Sequence, residues 1–137
     1  MEEKIAQYWQ SLLPEKPLFI QEMEQLAKEE HVPIMESAGI ETMLQFMRIQ
    51  KPKKILEIGT AIGYSAIRIA QAISGSEIVT IERDESRYNQ AIQFIRRAGL
   101  ENRISVILGD ALEVAAEAGE MGPYDAIFID AAKGQYQ

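Results

Sequence analysis

From Lys53 onward, short apolar runs alternate with amphipathic segments of helical period, and this alternation restricts the possible folds more than any other feature. The predicted strands cover residues 55–58, 77–82, 103–108 and 124–130, and the predicted helices between them cover residues 64–73, 85–98 and 111–118. Strands joined through helices by short connections pair in parallel, through right-handed crossovers. The chain is therefore predicted to form an α/β fold with a doubly wound parallel sheet.

Residues 1–52 have helical periodicity and are predicted to form a helical layer in front of this sheet. An apolar stripe marks the first segment: Ile5, Tyr8, Trp9, Leu12 and Leu13. Pro14 and Pro17 end that segment, a second one follows over about residues 18–30, and Pro52 closes a third. We expect residues 1–52 and 53–137 to be two segments of one structural unit.

Composition and charge exclude several classes of protein. The chain has no cysteine, which excludes disulfides and thiolate metal sites. Its net charge of −7 disfavours broad electrostatic capture of nucleic acid, although a local basic patch remains compatible with it. No apolar run is as long as a membrane span, and the first residues do not read as a secretory leader. We therefore expect a cytoplasmic protein that does not contact a membrane.

Two glycines, Gly59 and Gly63, bound the turn between the first strand of the sheet and its helix. A phosphate-binding P-loop needs a lysine after its last glycine, and here Tyr64 follows, so that interpretation fails. A dinucleotide fingerprint needs a middle glycine that admits the pyrophosphate, and Ala61 stands in that place. The turn therefore favours neither a phosphate nor a dinucleotide.

Acidic residues follow the predicted strands. Glu82 ends the second strand, Asp110 follows the third, and Asp130 ends the fourth with Lys133 just beyond it. With the strand order 3-2-1-4, these positions face one crevice at the topological switch point. A crevice lined by acids suits S-adenosylmethionine, whose sulphonium and ammonium are positive and which has no phosphate. The alternatives are that Glu82 is merely solvated or caps the next helix, and that Asp110 is an N-cap.

The run over residues 126–129 is apolar on both faces, which is typical of an interior parallel strand. Only a few residues follow it, and none of them reads as a further strand to flank it. Because an uncovered apolar edge strand invites pairing, we expect that the natural fold continues past Gln137 or that a partner, such as a second copy in a homodimer, covers this edge.

The chain resembles the cation-dependent O-methyltransferases, which include catechol and caffeoyl-CoA O-methyltransferases. The resemblance runs from about Val32 onward and rests on "LEIGTAIGYSAIRIA", "IVTIERD", "ENRI", "GDA" and "YDAIFIDAAKGQY". It implies a Rossmann-like sheet of the S-adenosylmethionine methyltransferase type, of which this chain contains the first four strands. Through "HVPIMESAG" the chain also resembles the bacterial branch that methylates 5-hydroxyuridine at the tRNA wobble position.

The resemblance implies a role for each matching residue. The implied donor-binding residues are Met35, Gly59, Tyr64, Ser65, Glu82, Asp110, Ala111 and Asp130. Among these, Ser65 would hydrogen-bond the donor's carboxylate, Glu82 its ribose hydroxyls, and Asp110 with Ala111 would bracket its adenine. Asp130 is also implied as a ligand of a divalent ion, Mg²⁺, and Lys133 as the general base.

Two further metal ligands of the family, an Asp-Asn pair, lie in strands that this chain does not contain. One carboxylate cannot hold Mg²⁺ tightly, so the chain by itself is expected to be a weak catalyst or none. A bound ion chelated by two adjacent substrate oxygens would activate the acceptor hydroxyl. A catechol presents such a pair, and 5-hydroxyuridine presents it as O5 and O4, so a small phenol and tRNA are both candidate acceptors.

A tRNA acceptor needs a basic surface, for which the candidates are Lys51, Lys53, Lys54, Arg96, Arg97 and Arg103. These charges are equally typical of helix ends and loops. Two other classes of function stay open. Glu82 permits a nicotinamide-dependent oxidoreductase, although Ala61 disfavours it, and the uncovered fourth strand is compatible with a non-catalytic assembly module.

Overall fold

The computed structural model describes residues 2–12 and 16–129, and it contains the predicted alternation of strands and helices. Three helices come first: α1 (Glu2–Ser11), α2 (Leu18–Glu29) and α3 (Ser37–Gln50). The alternating part then consists of β1 (Lys54–Ile58), α4 (Tyr64–Ala72), β2 (Glu77–Glu82), α5 (Glu85–Arg97), β3 (Ile104–Leu108), α6 (Ala115–Glu120) and β4 (Ala126–Ile129). Within the described ranges, no helix has the length and apolarity needed to cross a membrane.

The four strands form one parallel sheet, as predicted, and their order, β3-β2-β1-β4, is the one assumed in the sequence analysis. Ile58 of β1 pairs with Ile81 on one side and with Ile129 on the other, and Glu82 pairs with Leu108. The carboxyl ends of all four strands therefore lie along one edge of the sheet. The strand order reverses between β1 and β4, which is where ligands bind in sheets of this kind.

A hydrophobic core lies on each face of the sheet. The larger core joins α2, α3, α4 and α5 to one face, around Ile55, Ile78 and Ile104. The smaller core lies on the other face, where Val79, Ile81 and Ile107 pack against Ala118 of α6. Helices on both faces are typical of a doubly wound sheet. The larger core contains residues from both segments of the chain, such as Ile40 and Ile67.

The helix after β3 begins later than the sequence predicts, at Ala115 instead of residue 111. The Asp110 side chain contributes to this difference, because its Oδ1 accepts the backbone N–H of Leu112 at 2.9 Å. A local side-chain bond of this kind offers the backbone an alternative to a helix. The backbone N–H groups of Glu113 and Val114 donate to the Asp110 carbonyl at 2.9 and 3.0 Å, so a single turn occupies the place of the predicted first helical turn.

Two apolar surfaces are exposed in the part of the chain that the structure describes. β4 lies at an edge of the sheet, where Ile127 is 64% and Ile129 is 53% exposed. This agrees with the prediction that the fourth strand is uncovered on one side. Ile5 and Tyr8 of α1 and the adjacent Leu12 are also exposed, so these three residues of the predicted apolar stripe are not buried against the described part of the chain.

Candidate donor-binding crevice

The turn after β1 is held in place by the end of β2. The backbone N–H groups of Gly59 and Thr60 donate to the carbonyl of Ile81 at 2.9 and 3.1 Å. Gly59, Ala61 and Gly63 have φ angles of 96°, 50° and 87°, all in the left-handed region. Such a conformation costs a residue with a Cβ about 1 kcal/mol, so Ala61 is held there by its surroundings.

Glu82 supplies the bond that holds Ala61. Its side chain is buried, and its Oε1 accepts the N–H of Ala61 at 2.7 Å while Oε2 accepts the N–H of Asp84 at 2.9 Å. Asp84 caps α5 by accepting the N–H of Arg87, so Glu82 is neither solvated nor a helix cap. A carboxylate offers about four lone-pair positions, so two remain for further donors such as ribose hydroxyls.

A second buried carboxylate, Glu57, lies in the middle of β1, and the sequence analysis missed it. Glu57 is fully buried; Ser65 donates a short hydrogen bond to its Oε2, and Thr80 donates to its Oε1 at 2.6 Å. Thr60 extends this chain of hydroxyls to Thr80 at 2.7 Å. An acid within the apolar run 55–58 was the available signal, because a carboxylate is buried only when donors compensate for its lost hydration.

Ser65 lies in the crevice as predicted, but its proton points to Glu57. A hydroxyl has one proton to donate, so Ser65 now presents lone pairs, which can accept a bond from an ammonium group. The predicted donation from Ser65 to the donor's carboxylate requires the bond to Glu57 to break. In this geometry the Ser65 hydroxyl is a donor to Glu57, and only its lone pairs face other groups.

The Tyr64 side chain joins α4 to the N-terminal helices. Its hydroxyl donates to Glu24 of α2 at 2.5 Å and accepts from Arg68 at 2.8 Å, and Arg68 also pairs with Glu41 of α3. Burial raises the pKa of the Tyr64 phenol, and the bond to Glu24 raises it further. The hydroxyl is thus hydrogen-bonded to Glu24 and Arg68 within the protein. A contact of Tyr64 with the donor, as predicted, would have to use another part of the residue.

Met35 lies beside the glycine turn as predicted. It lines a small cleft together with Ala61, Tyr64 and Ser65, and Pro33 and Ile34 complete the wall. The segment between α2 and α3 thus covers the turn from the side of the N-terminal helices. The predicted contact of Met35 with the donor is compatible with this position.

Asp110 and Ala111 lie one strand further along the same edge. The N–H of Gly109 donates to the carbonyl of Glu82 at 2.8 Å, which ties the residue before Asp110 to the end of β2. Neighbouring strands are about 4.8 Å apart, so this edge places Asp110 beside Glu82. The Asp110 carboxylate stabilises the local turn through Oδ1, and Ala111 packs against the smaller core.

Asp130 and Lys133 lie outside the described residues, so their predicted roles as metal ligand and general base stay predictions. Residues 2–12 and 16–129 contain no group of three or more His, Cys, Asp or Glu side chains that could hold a metal ion.

Two of the candidate RNA-binding arginines form hydrogen bonds with other groups of the protein. The guanidinium of Arg103 donates to the carbonyls of Ala70 and Ile73, each at 2.7 Å, and to that of Ser76 at 2.9 Å. Arg97 forms two hydrogen bonds with Glu22 and lies over the rings of Phe19 and Phe94. These contacts remove Arg97 and Arg103 from the candidate basic surface.

Comparison with known proteins identifies a family that matches this chain. A model of the O-methyltransferase family matches residues 10–137. The chain belongs to this family. Among curated relatives of this chain, a caffeoyl-CoA O-methyltransferase from Stellaria longipes is 30% identical over 92% of the chain and 55% of the relative. A catechol O-methyltransferase from Niastella koreensis is 39% identical over 61% of the chain and 39% of the relative.

Solved structures support the same assignment. The O-methyltransferase from Bacillus cereus in complex with SAH is 32% identical, with a TM-score of 0.82 over 93% of this chain and 60% of that one. TomG from Streptomyces achromogenes, in complex with SAM, is 27% identical with a TM-score of 0.81. The chain thus has the fold of S-adenosylmethionine-dependent methyltransferases, and it spans about half the length of the curated relatives that it matches.

Replacing Thr80 with valine should weaken the binding of S-adenosylhomocysteine about tenfold. Valine keeps the shape of threonine and removes the hydroxyl that orients Glu57, and a hydrogen bond to a charged group contributes about 1.5–3 kcal/mol. Calorimetry with S-adenosylhomocysteine and with adenosine measures the effect, and Thr80→Ser is the matched control that keeps the hydroxyl. Adenosine lacks the amino-acid part, so an equal loss for both ligands would mean that the whole crevice is disturbed instead.

Proposed function

We propose that the whole protein transfers a methyl group from S-adenosylmethionine to an acceptor oxygen and depends on a divalent metal ion. The observation that supports this most is a pair of buried carboxylates on adjacent strands in an O-methyltransferase fold: Glu82 at the carboxyl end of β2 and Glu57 within β1. Both accept hydrogen bonds from the protein: Glu82 from the N–H groups of Ala61 and Asp84, and Glu57 from Ser65 and Thr80. A ligand rich in donors and free of phosphate fits them.

The parts of the donor match the crevice residue by residue. Its ribose hydroxyls would donate to Glu82, and its ammonium to the pair formed by Glu57 and Ser65. Its adenine amino group would donate to Asp110, next to Ala111. Asp110 lies about one strand spacing from Glu82. The left-handed turn would pass close to the methionine part at Gly59, which has no side chain, whereas Gly63 lets the turn approach Ala91 of α5.

The chemical step is an in-line displacement at the methyl carbon. The bond from acceptor oxygen to methyl forms as the bond from sulphur to methyl breaks, and the electron pair stays on the sulphur. The acceptor's proton would pass to Lys133, the proposed general base. A divalent ion with Asp130 among its oxygen ligands would supply positive charge beside the acceptor oxygen.

The proposed acceptor is 5-hydroxyuridine at the tRNA wobble position, because of the resemblance through residues 31–39 and because its O5 and O4 form an adjacent pair of oxygens. A catechol-like phenol is the second candidate. The names of two relatives favour the phenol, since one is a catechol O-methyltransferase and the other is a caffeoyl-CoA O-methyltransferase. The same pair of oxygens occurs in both acceptors, so one kind of site suits either.

Transfer of a labelled methyl group to tRNA that carries 5-hydroxyuridine tests this proposal against a panel of phenols. We expect the tRNA to be labelled, labelling to stop in EDTA, and Mg²⁺ in excess to restore it. Unmodified tRNA is the matched control. Labelling of phenols alone would select the second acceptor, activity that survives EDTA would exclude the metal, and no transfer to either would overturn the proposed function.

A further inference from the structure

A large cleft lies at the opposite edge of the sheet, where the strands begin. It has a volume of about 800 Å³ and lies between the end of α3, the loop to β1, and the loop from α4 to β2. Four cationic side chains line it, Arg48, Lys51, Lys53 and Lys54, against one acidic side chain, Glu77. We call it the basic cleft.

The charge of the basic cleft is opposite to that of the protein, whose net charge is −7. Lys54 lies 3.8 Å from Glu77, whereas no carboxylate of residues 2–12 or 16–129 is within ion-pair distance of Arg48, Lys51 or Lys53. The helices α3 and α4 end at the cleft, and a helix C-terminus has about half a unit of negative charge. The two ends together offset about one of the cations, so the cleft keeps an excess of positive charge.

The backbone that bears these cations is fixed on two sides. Lys51 ends α3 in the left-handed conformation, with φ 52°, and its N–H donates to the carbonyl of Met47 at 2.7 Å. The N–H groups of Lys53 and Lys54 both donate to one carboxylate oxygen of Asp125, at 2.8 and 3.0 Å. A rigid loop presents its charges in a constant arrangement, which lowers the entropy cost of binding.

We propose that the basic cleft binds the phosphodiester backbone of an RNA, and this inference rests on the proposed tRNA acceptor. Phosphate groups are the complement of several unpaired cations on one concave surface. β1 has five residues, so the basic cleft and the donor-binding crevice are about 16 Å apart along it. A ligand that reaches both must be longer than a phenol or than the donor alone, and a folded RNA has that length.

The test measures the binding of a fluorescently labelled anticodon stem-loop RNA to the protein in a salt titration. The variant combines Arg48→Gln, Lys51→Gln and Lys53→Gln, and we expect it to bind at least about tenfold more weakly near 0.1 M salt. A plot of log affinity against log salt concentration should become less steep by about two units. The reason is that three phosphate contacts are removed and each contributes somewhat less than one unit to the slope. Binding of S-adenosylhomocysteine should not change.

The matched control removes the same number of charges elsewhere on the surface, with Lys4→Gln, Lys28→Gln and Arg97→Gln. These three side chains are exposed and lie outside the cleft. Equal weakening by both triple variants, or no weakening by the cleft variant, would overturn the basic cleft as the RNA site. If the RNA binds through the cleft but tRNA is not methylated, the proposed acceptor fails while the binding site stands.

Discussion

Glu82→Ala is expected to weaken the binding of S-adenosylmethionine at least about tenfold. The substitution removes the proposed acceptors for the ribose hydroxyls and also frees the N–H of Ala61, which Glu82 holds at 2.7 Å. Hydrogen bonds to a charged group contribute about 1.5–3 kcal/mol each, and 1.4 kcal/mol is a factor of ten in affinity. Titration calorimetry of the variant and of the unchanged protein measures the loss.

The control for Glu82→Ala is Glu77→Ala, at the other end of the same strand. Glu77 is exposed and lies in the basic cleft, so its loss should leave donor affinity unchanged. A second variant, Glu82→Gln, keeps one carbonyl oxygen for Ala61 and separates ribose binding from the shape of the turn. Unchanged affinity in both Glu82 variants would show that the ribose does not bind there.

Arg103→Met should lower the free energy of unfolding by about 2–3 kcal/mol. The guanidinium of Arg103 satisfies the carbonyls of Ala70, Ile73 and Ser76 where α4 ends and the chain turns into β2. Methionine retains much of the apolar volume and leaves those carbonyls without this donor, which costs about 1–3 kcal/mol for each one that water cannot reach. Arg103 is only partly buried, so we expect less than the sum over all three.

Urea denaturation followed by circular dichroism measures this loss of stability. Arg96→Met is the matched control, because Arg96 is exposed on α5 and an exposed substitution usually changes stability by no more than about 0.5 kcal/mol. Equal stability of the two variants would mean that water satisfies the carbonyls as well as Arg103 does.

Local patterns in the sequence predicted the strands and helices well. β2 has the predicted bounds, 77–82, because its apolar run is closed by polar residues on both sides. Parallel pairing followed from the short connections through helices, and the strand order assumed for a doubly wound sheet, which the structure has, puts Glu82 and the turn at Gly59 on one edge. These predictions succeeded because the period of a strand and the length of a connection are properties of adjacent residues.

The predictions about individual side chains were less complete. The run 55–58 marks a strand, but nothing local shows that Glu57 accepts bonds from Ser65 and Thr80, which are 8 and 23 residues away. The same limit applies to Arg103, which reads as a surface charge and instead binds carbonyls that lie 27 to 33 residues earlier.

The amino-acid sequence alone determined which segments are strands, that they pair in parallel, and that acids follow their carboxyl ends. The tertiary structure alone decided which of those polar groups are buried, which donors satisfy them, and which cations are left without partners at the opposite edge. The physical reason is how far apart along the chain the interacting residues lie. Backbone conformation depends on neighbours along the chain, whereas burial and hydrogen bonding of a side chain depend on residues that only folding brings near.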